Sequence, residues 1–170
     1  MRLAIYAGTF DPVTGGHLSV IERAAALFDR VLVVVAVNPQ KRPLFSEEER
    51  VEMIRQVVAP WPNVEATSTE GFVVDLARER GARYLVRGVR SVTDVEGEIT
   101  LANMNHALAP DVETVFIPAH PELSEVSSSK LKELFVAGAD VSRYCPPLVL
   151  ARLDERVRRR AGEAREVVDV

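Results

Sequence analysis

The chain has 170 residues, with 21 basic side chains against 25 acidic ones, a net charge of −4 and a pI of about 5.5. Apolar residues make up 47% and charged residues 27%, which excludes a disordered chain and supplies enough material for one ordinary core. The acidic balance gives no overall attraction for nucleic acid or an anionic membrane, and the single cysteine, Cys145, excludes an intramolecular disulfide or a cysteine-based zinc site.

Met1-Arg2-Leu3 leads directly into an apolar run, so no secretory leader is expected and a cytoplasmic location follows. Arg2 to Ala7 has no clear period, as in a strand covered on both faces. Gly8, Pro12, Gly15 and Gly16 then punctuate a loop, and His17 to Phe28 reads as a helix with Leu18, Ile21, Ala25 and Phe28 on one face. A strand-loop-helix of this kind aims backbone N–H groups and the positive end of a helix dipole at the sheet edge, which suits phosphate. The loop is neither a P-loop nor a dinucleotide fingerprint, since it has no Gly-Lys-Ser/Thr ending and no Gly-x-Gly-x-x-Gly.

Val31 to Val37 is β-branched and far too short to span a bilayer, so it reads as a central parallel strand. Asn38 to Pro43 makes a basic loop at its end. Ser46 with Glu49 forms a capping box for a helix whose apolar face is Val51, Ile54 and Val58. Val64 to Thr67 is a short strand, and a helix carrying Phe72, Val73, Leu76 and Ala77 stops at Gly81. Tyr84 to Val86 is the fourth strand, running into Arg87-Gly88-Val89-Arg90. Thr93 with Glu96 would cap a long helix to about Leu108, apolar on two sides; it is either wholly buried or touches both the sheet and a second subunit. Glu113 to Ile117 is the fifth strand. Ser127 to Ser129 open a helix ending near Gly138, and Pro147 starts a last helix to about Arg160.

Five strands alternating with helices predict a doubly wound, Rossmann-like parallel sheet with helices on both faces, in one domain over 1–160 followed by a charged tail over 161–170. Four polar clusters then fall at strand ends or the helix openings after them: Thr9 to His17, Lys41 with Arg42, Arg87 with Arg90, and Ser127 to Ser129. Their convergence favours a polyphosphate pocket. No Ser-His-Asp order and no Asp/Glu/His cluster with ligand spacing is present, which argues against a hydrolase or a dedicated metal site. The basic run Arg156 and Arg158 to Arg160 reads as a solvated helix end rather than a nucleic-acid patch. His106 reads as a surface or interface group, His120 as a loop residue, and Cys145 as a small buried one.

Thr14-Gly15-Gly16-His17 resembles the histidine motif of the nucleotidylyltransferase superfamily. Tyr6 to Pro12, Asn38 to Pro43, Glu48-Glu49-Arg50, Arg87 to Arg90 with Glu98, and Val126 to Ser129 followed by Lys132-Glu133 narrow the resemblance to the bacterial phosphopantetheine adenylyltransferase family, over roughly residues 2–150. That resemblance implies reversible adenylyl transfer from ATP to 4′-phosphopantetheine, giving dephospho-coenzyme A and pyrophosphate, with Mg²⁺ arriving on ATP. It implies His17, Lys41 and Arg90 as catalytic residues. ATP would be held by Thr9, Phe10, His17, Gly88, Val89, Arg90, Glu98, Leu123, Ser124, Glu125, Val126, Ser127, Ser128 and Ser129. Phosphopantetheine would meet Thr9, Lys41, Val73 and Arg87. A homohexamer and feedback by coenzyme A are also implied, with no nucleic acid, membrane or resident metal.

The chain departs from the family at Gly97, Leu123 and Glu125, where or near which aromatics are usual, and at Ala7, where proline is usual. Gly97, Leu123 and Glu125 keep open a nucleotide-binding regulatory module without turnover. A nicotinate-mononucleotide or glycerol-phosphate nucleotidyltransferase, which shares the histidine motif but differs in the Arg87 to Glu98 segment and the serine run, is the other alternative.

Overall fold

The computed structural model describes residues 1–40, 42–123 and 125–166, and side chains through residue 159. Five strands form one sheet: β1 (Leu3–Gly8), β2 (Arg30–Ala36), β3 (Val64–Thr69), β4 (Tyr84–Val89) and β5 (Glu113–Pro118). They lie in the order β3-β2-β1-β4-β5, and every pairing is parallel. The Rossmann-like prediction therefore holds. The helices are α1 (Gly15–Leu27), α2 (Glu47–Val57), α3 (Val73–Arg80), α4 (Val92–Leu108), α5 (Ser128–Val136) and α6 (Pro147–Glu166), with short 3₁₀ turns at Pro121–Leu123 and Ser142–Tyr144 that the sequence reading lacked.

Strand alternation divides the apolar residues between two cores. Ala4, Tyr6, Val31, Val33 and Val35 face the larger one, with Val20, Ile21, Ile54, Leu131 and Leu153 from the helices. Ile5, Ala7, Leu32, Val34 and Leu85 face the other, with Val74, Leu76 and Ala77 of α3. Both sheet faces are covered, which is why β1 and β2 read as unbroken apolar runs. Leu131 is fully buried and anchors α5. Leu131→Ala should therefore cost about 2–5 kcal/mol in denaturant unfolding, and a loss under about 1 kcal/mol would contradict this packing.

Three elements differ from expectation. Strand β4 runs on through Arg87, Gly88 and Val89, because β5 continues to pair with it as far as Val89↔Pro118. Helix α4 begins two residues earlier than the Thr93–Glu96 box: Ser91 is the N-cap, its hydroxyl accepting the Asp94 N–H. Helix α6 continues past Arg160 to Glu166. The Ser46–Glu49 box is present in both directions, and Gly81 ends α3 at φ 68°. No α4 residue is buried, and Ile99, Met104 and Leu108 are exposed, so the wholly buried alternative for this helix is excluded.

Candidate active site

The strand order reverses between β1 and β4, so the crevice outside their C-terminal ends is where a ligand site forms in such a sheet. A cavity of about 300 Å³ lies there. The loop after β1 supplies Thr9, Phe10 and Thr14; α1 supplies Gly16 and His17, β4 Arg87 and Gly88, and α5 with its cap Ser127 to Ser129. Arg90 and Glu98 complete the β4–α4 side. The bare backbone of Gly88 matters here, since a Cβ would come within 3.0 Å of Val20 and 3.1 Å of the Tyr6 hydroxyl.

Thr14 caps α1, and His17 occupies the third helical position, where a capping box usually has glutamate or glutamine. The Thr14 N–H donates to His17 Nδ1 at 3.0 Å, and the His17 N–H donates to the Thr14 hydroxyl at 3.4 Å. A backbone amide can only donate, so Nδ1 accepts and the neutral ring carries its proton on Nε2. The imidazole is T-stacked on Phe10, with centroids 4.9 Å apart. Phe10 reaches this contact with φ at 47°, an uncommon setting for a bulky side chain. The ring stands as a neutral N–H donor on the cavity wall.

Burial, and then the positive charge of Arg90, push the His17 pKa down to about 4. The unfolded chain binds this proton near 6.5, the folded one only at about 4. The contribution to stability is thus complete above the unfolded value and is lost as pH falls through that window. The His17 ring signals in NMR should stay fixed between about pH 5.5 and 8. A titration midpoint inside that range would contradict the partly buried, neutral ring.

The two arginines are held by carboxylates of α4. Arg87 forks onto Glu98 at 2.5 and 2.9 Å and donates to the Ala7 carbonyl at 3.0 Å. Arg90 pairs with Asp94 at 2.8 Å. On the opposite wall the Ser127 hydroxyl caps α5 by accepting the Lys130 N–H, and the Ser128 hydroxyl donates to the Pro12 carbonyl at 2.9 Å. The site thus combines two guanidinium groups, a neutral imidazole donor and a helix N-terminus, an arrangement suited to a polyphosphate.

Of the residues singled out in the sequence, Thr9, Phe10, His17, Arg87, Gly88, Arg90, Glu98, Val126, Ser127, Ser128 and Ser129 meet on this cavity. Val89, Leu123, Glu125 and Val73 do not line it, and Val73 is partly buried against the second core. Lys41 and Ser124 lie outside the described residues. Tyr6, Thr14, Gly16, Val20 and Ala119 also line the cavity but were not among the proposed site residues. For Thr14 the signal existed: a threonine three residues before the histidine at a helix start. At Gly97 a Cβ would meet nothing within 4 Å, so the aromatic absent from this position leaves open space beside Glu98. Among the described residues no cluster of three His, Cys, Asp or Glu side chains is grouped to hold a metal ion, and no helix is long and apolar enough to cross a membrane.

A family model described as cytidylyltransferase-like matches residues 5–134. Three curated relatives bear the name phosphopantetheine adenylyltransferase. That from Heliobacterium modesticaldum is 50% identical over 92% of this chain and 93% of its own; that from Hahella chejuensis is 44% identical over 92% and 97%. The Alkaliphilus metalliredigens relative is 42% identical over 92% and 99%. Among solved structures, one titled as a candidate nicotinate-nucleotide adenylyltransferase from Vibrio parahaemolyticus superposes with a TM-score of 0.65. Its 19% identity, over 90% of this chain and 99% of its own, speaks for the fold alone.

Proposed function

Because this chain belongs to the phosphopantetheine adenylyltransferases of the cytidylyltransferase-like family, we propose that it transfers the adenylyl group of ATP to 4′-phosphopantetheine, reversibly, in coenzyme A biosynthesis. A phosphate oxygen of the acceptor attacks the α-phosphorus of ATP. The new P–O bond gives dephospho-coenzyme A, and the bond to the bridging oxygen breaks, its electron pair leaving with pyrophosphate. No protein nucleophile is required. The enzyme's contribution is alignment and stabilisation of the charge that builds on the α-phosphate oxygens.

The observation that carries this reading is His17, with its proton placed on Nε2 by the Thr14 N–H and its ring on the wall of a cavity that also holds Arg87, Arg90 and the α5 serines. In the proposal Nε2–H donates to the α-phosphate. Arg90 and the first turn of α5 hold the β- and γ-phosphates, while Thr9, Arg87 and Lys41 hold the acceptor phosphate. Glu98, which now occupies the Arg87 fork, must share or yield it when phosphate arrives. Magnesium enters as part of the nucleotide substrate, its charge spread over the triphosphate. A cytoplasmic homohexamer, using the exposed apolar side of α4, and feedback by coenzyme A complete the proposal.

Turnover tests it: ATP, Mg²⁺ and 4′-phosphopantetheine are incubated with the protein, and dephospho-coenzyme A and pyrophosphate are followed, with nicotinate mononucleotide as a rival acceptor. Product with phosphopantetheine alone is expected. Product with the rival alone would move the chain elsewhere in the family. ATP binding without product from either acceptor would overturn the catalytic reading.

A further inference from the structure

Asp11 is buried between Phe10 and Pro12 in the loop that follows β1, and both its carboxylate oxygens are engaged. Oδ1 accepts the Phe45 N–H at 2.9 Å. Oδ2 accepts the Leu44 N–H at 2.9 Å and the Lys132 ammonium at 2.6 Å. One side chain thus ties the motif loop to a segment 33 residues away and to a helix 121 residues away. Burial alone would raise the Asp11 carboxyl, but the Leu44 N–H, Lys132 and the Phe45 N–H outweigh it and hold its pKa below the ordinary value.

Two of the elements joined this way, the motif loop and α5, both line the cavity, while the Leu44–Phe45 segment braces the loop from outside it. Lys132 stands one turn beyond Ser128 on α5, the helix whose opening faces the cavity. Asp11 lies two residues from Thr9, whose carbonyl is held from the other side by the buried Arg50 guanidinium at 2.8 Å. Pro12, the next residue, gives its carbonyl to Ser128. Asp11 does not itself line the cavity. We infer that Asp11 is a positioning residue for the transfer: through Lys132, Leu44 and Phe45 it fixes the separation between the motif loop at Thr9 and the serines of α5. This rests on the adenylyl-transfer reading, in which those two walls hold the attacking phosphate and the departing pyrophosphate.

An in-line attack tolerates little displacement, so the inference predicts a loss in kcat rather than in substrate binding. Asp11→Asn keeps the shape but turns an amide NH₂ toward groups that can only donate. It should lower kcat by about 10²-fold, with KM for ATP and for phosphopantetheine each changed less than about threefold. The assay is run where circular dichroism finds variant and wild type fully folded. The Leu44 and Phe45 amides should also exchange hydrogen faster in the variant. Wild-type kcat in Asp11→Asn, or kcat lost in parallel with the affinity for both substrates, would overturn the inference.

A second pair keeps the test alive if that variant does not fold. Beside Lys132, between α5 and α6, is an open groove of about 500 Å³, so an arginine fits where the lysine stands. Lys132→Arg should keep kcat within about threefold, whereas Lys132→Met should lose about tenfold. Equal rates for these two would overturn it. Wild-type turnover is measured alongside: absence of wild-type product would count against the reaction itself, not against Asp11.

Discussion

Replacing His17 with alanine should lower kcat by about 10²–10³-fold while ATP binds within about tenfold of the wild-type affinity. The imidazole sits on the cavity wall as a neutral donor, pushed down to a pKa of about 4, and it has no role as a nucleophile. Its hydrogen bond gains most when charge accumulates on the α-phosphate, so removing it raises the barrier more than it weakens the ground-state complex. The substitution also deprives the Thr14 N–H of its acceptor, which costs about 1 kcal/mol of helix capping and is read separately by thermal unfolding. Steady-state kinetics beside calorimetric ATP titration separate the effects. Affinity and rate falling together would show that His17 serves binding alone.

Arg87→Ala should reduce kcat/KM for the acceptor by about 10²-fold or more, with the KM for ATP altered far less. Two effects act in the same direction. The fork that would grip the acceptor phosphate is gone, and the half-buried Glu98 carboxylate is left uncompensated beside it. Adding Glu98→Ala to Arg87→Ala should therefore restore part of the lost acceptor affinity, because it removes a like charge from the phosphate. The double-mutant cycle measures this directly. Simple additivity of the two losses would mean that Glu98 does not compete for the Arg87 fork. Lysine is expected to be a poor replacement for Arg87, since a point charge cannot span both Glu98 oxygens and the Ala7 carbonyl.

Much of the fold was legible because the decisive signals are local. The Ser46–Glu49 box spans four residues, Gly81 supplies the left-handed turn that ends α3, and the unbroken β-branched run at Val31 announces a strand buried on both faces. Not every local signal was a true one. The Thr93–Glu96 spacing suggested the cap of α4, but Ser91 takes it, its hydroxyl accepting the Asp94 N–H and its carbonyl accepting the Val95 N–H. Whether β4 stops at Val86 or continues through Arg87 depends on whether β5 is there to pair with it, and no window around residue 87 carries that information.

The site divides along the same line. Glycines, the histidine and the serine run are short motifs, and the fold brings them to one cavity. Arg90 finds its partner Asp94 four residues on, but the partners of Arg87 and Asp11 are more distant. Arg87 meets Glu98 only because β4 passes beneath α4, and Asp11 meets Leu44, Phe45 and Lys132 across three separate stretches of chain. Val73, assigned to the acceptor by resemblance, is partly buried against the core formed with Ile5 and Val34.

The bonds between Thr14 and His17 have a further consequence, in entropy. A free histidine side chain explores several rotamers, and holding it for one substrate oxygen would ordinarily be charged against the affinity of that substrate. Here the bonds that begin α1 also fix the ring, so its rotational freedom is lost once, during folding, before any nucleotide arrives. Nucleotide binding then has little order left to impose on this donor, and the entropy of binding should carry little cost from fixing the ring.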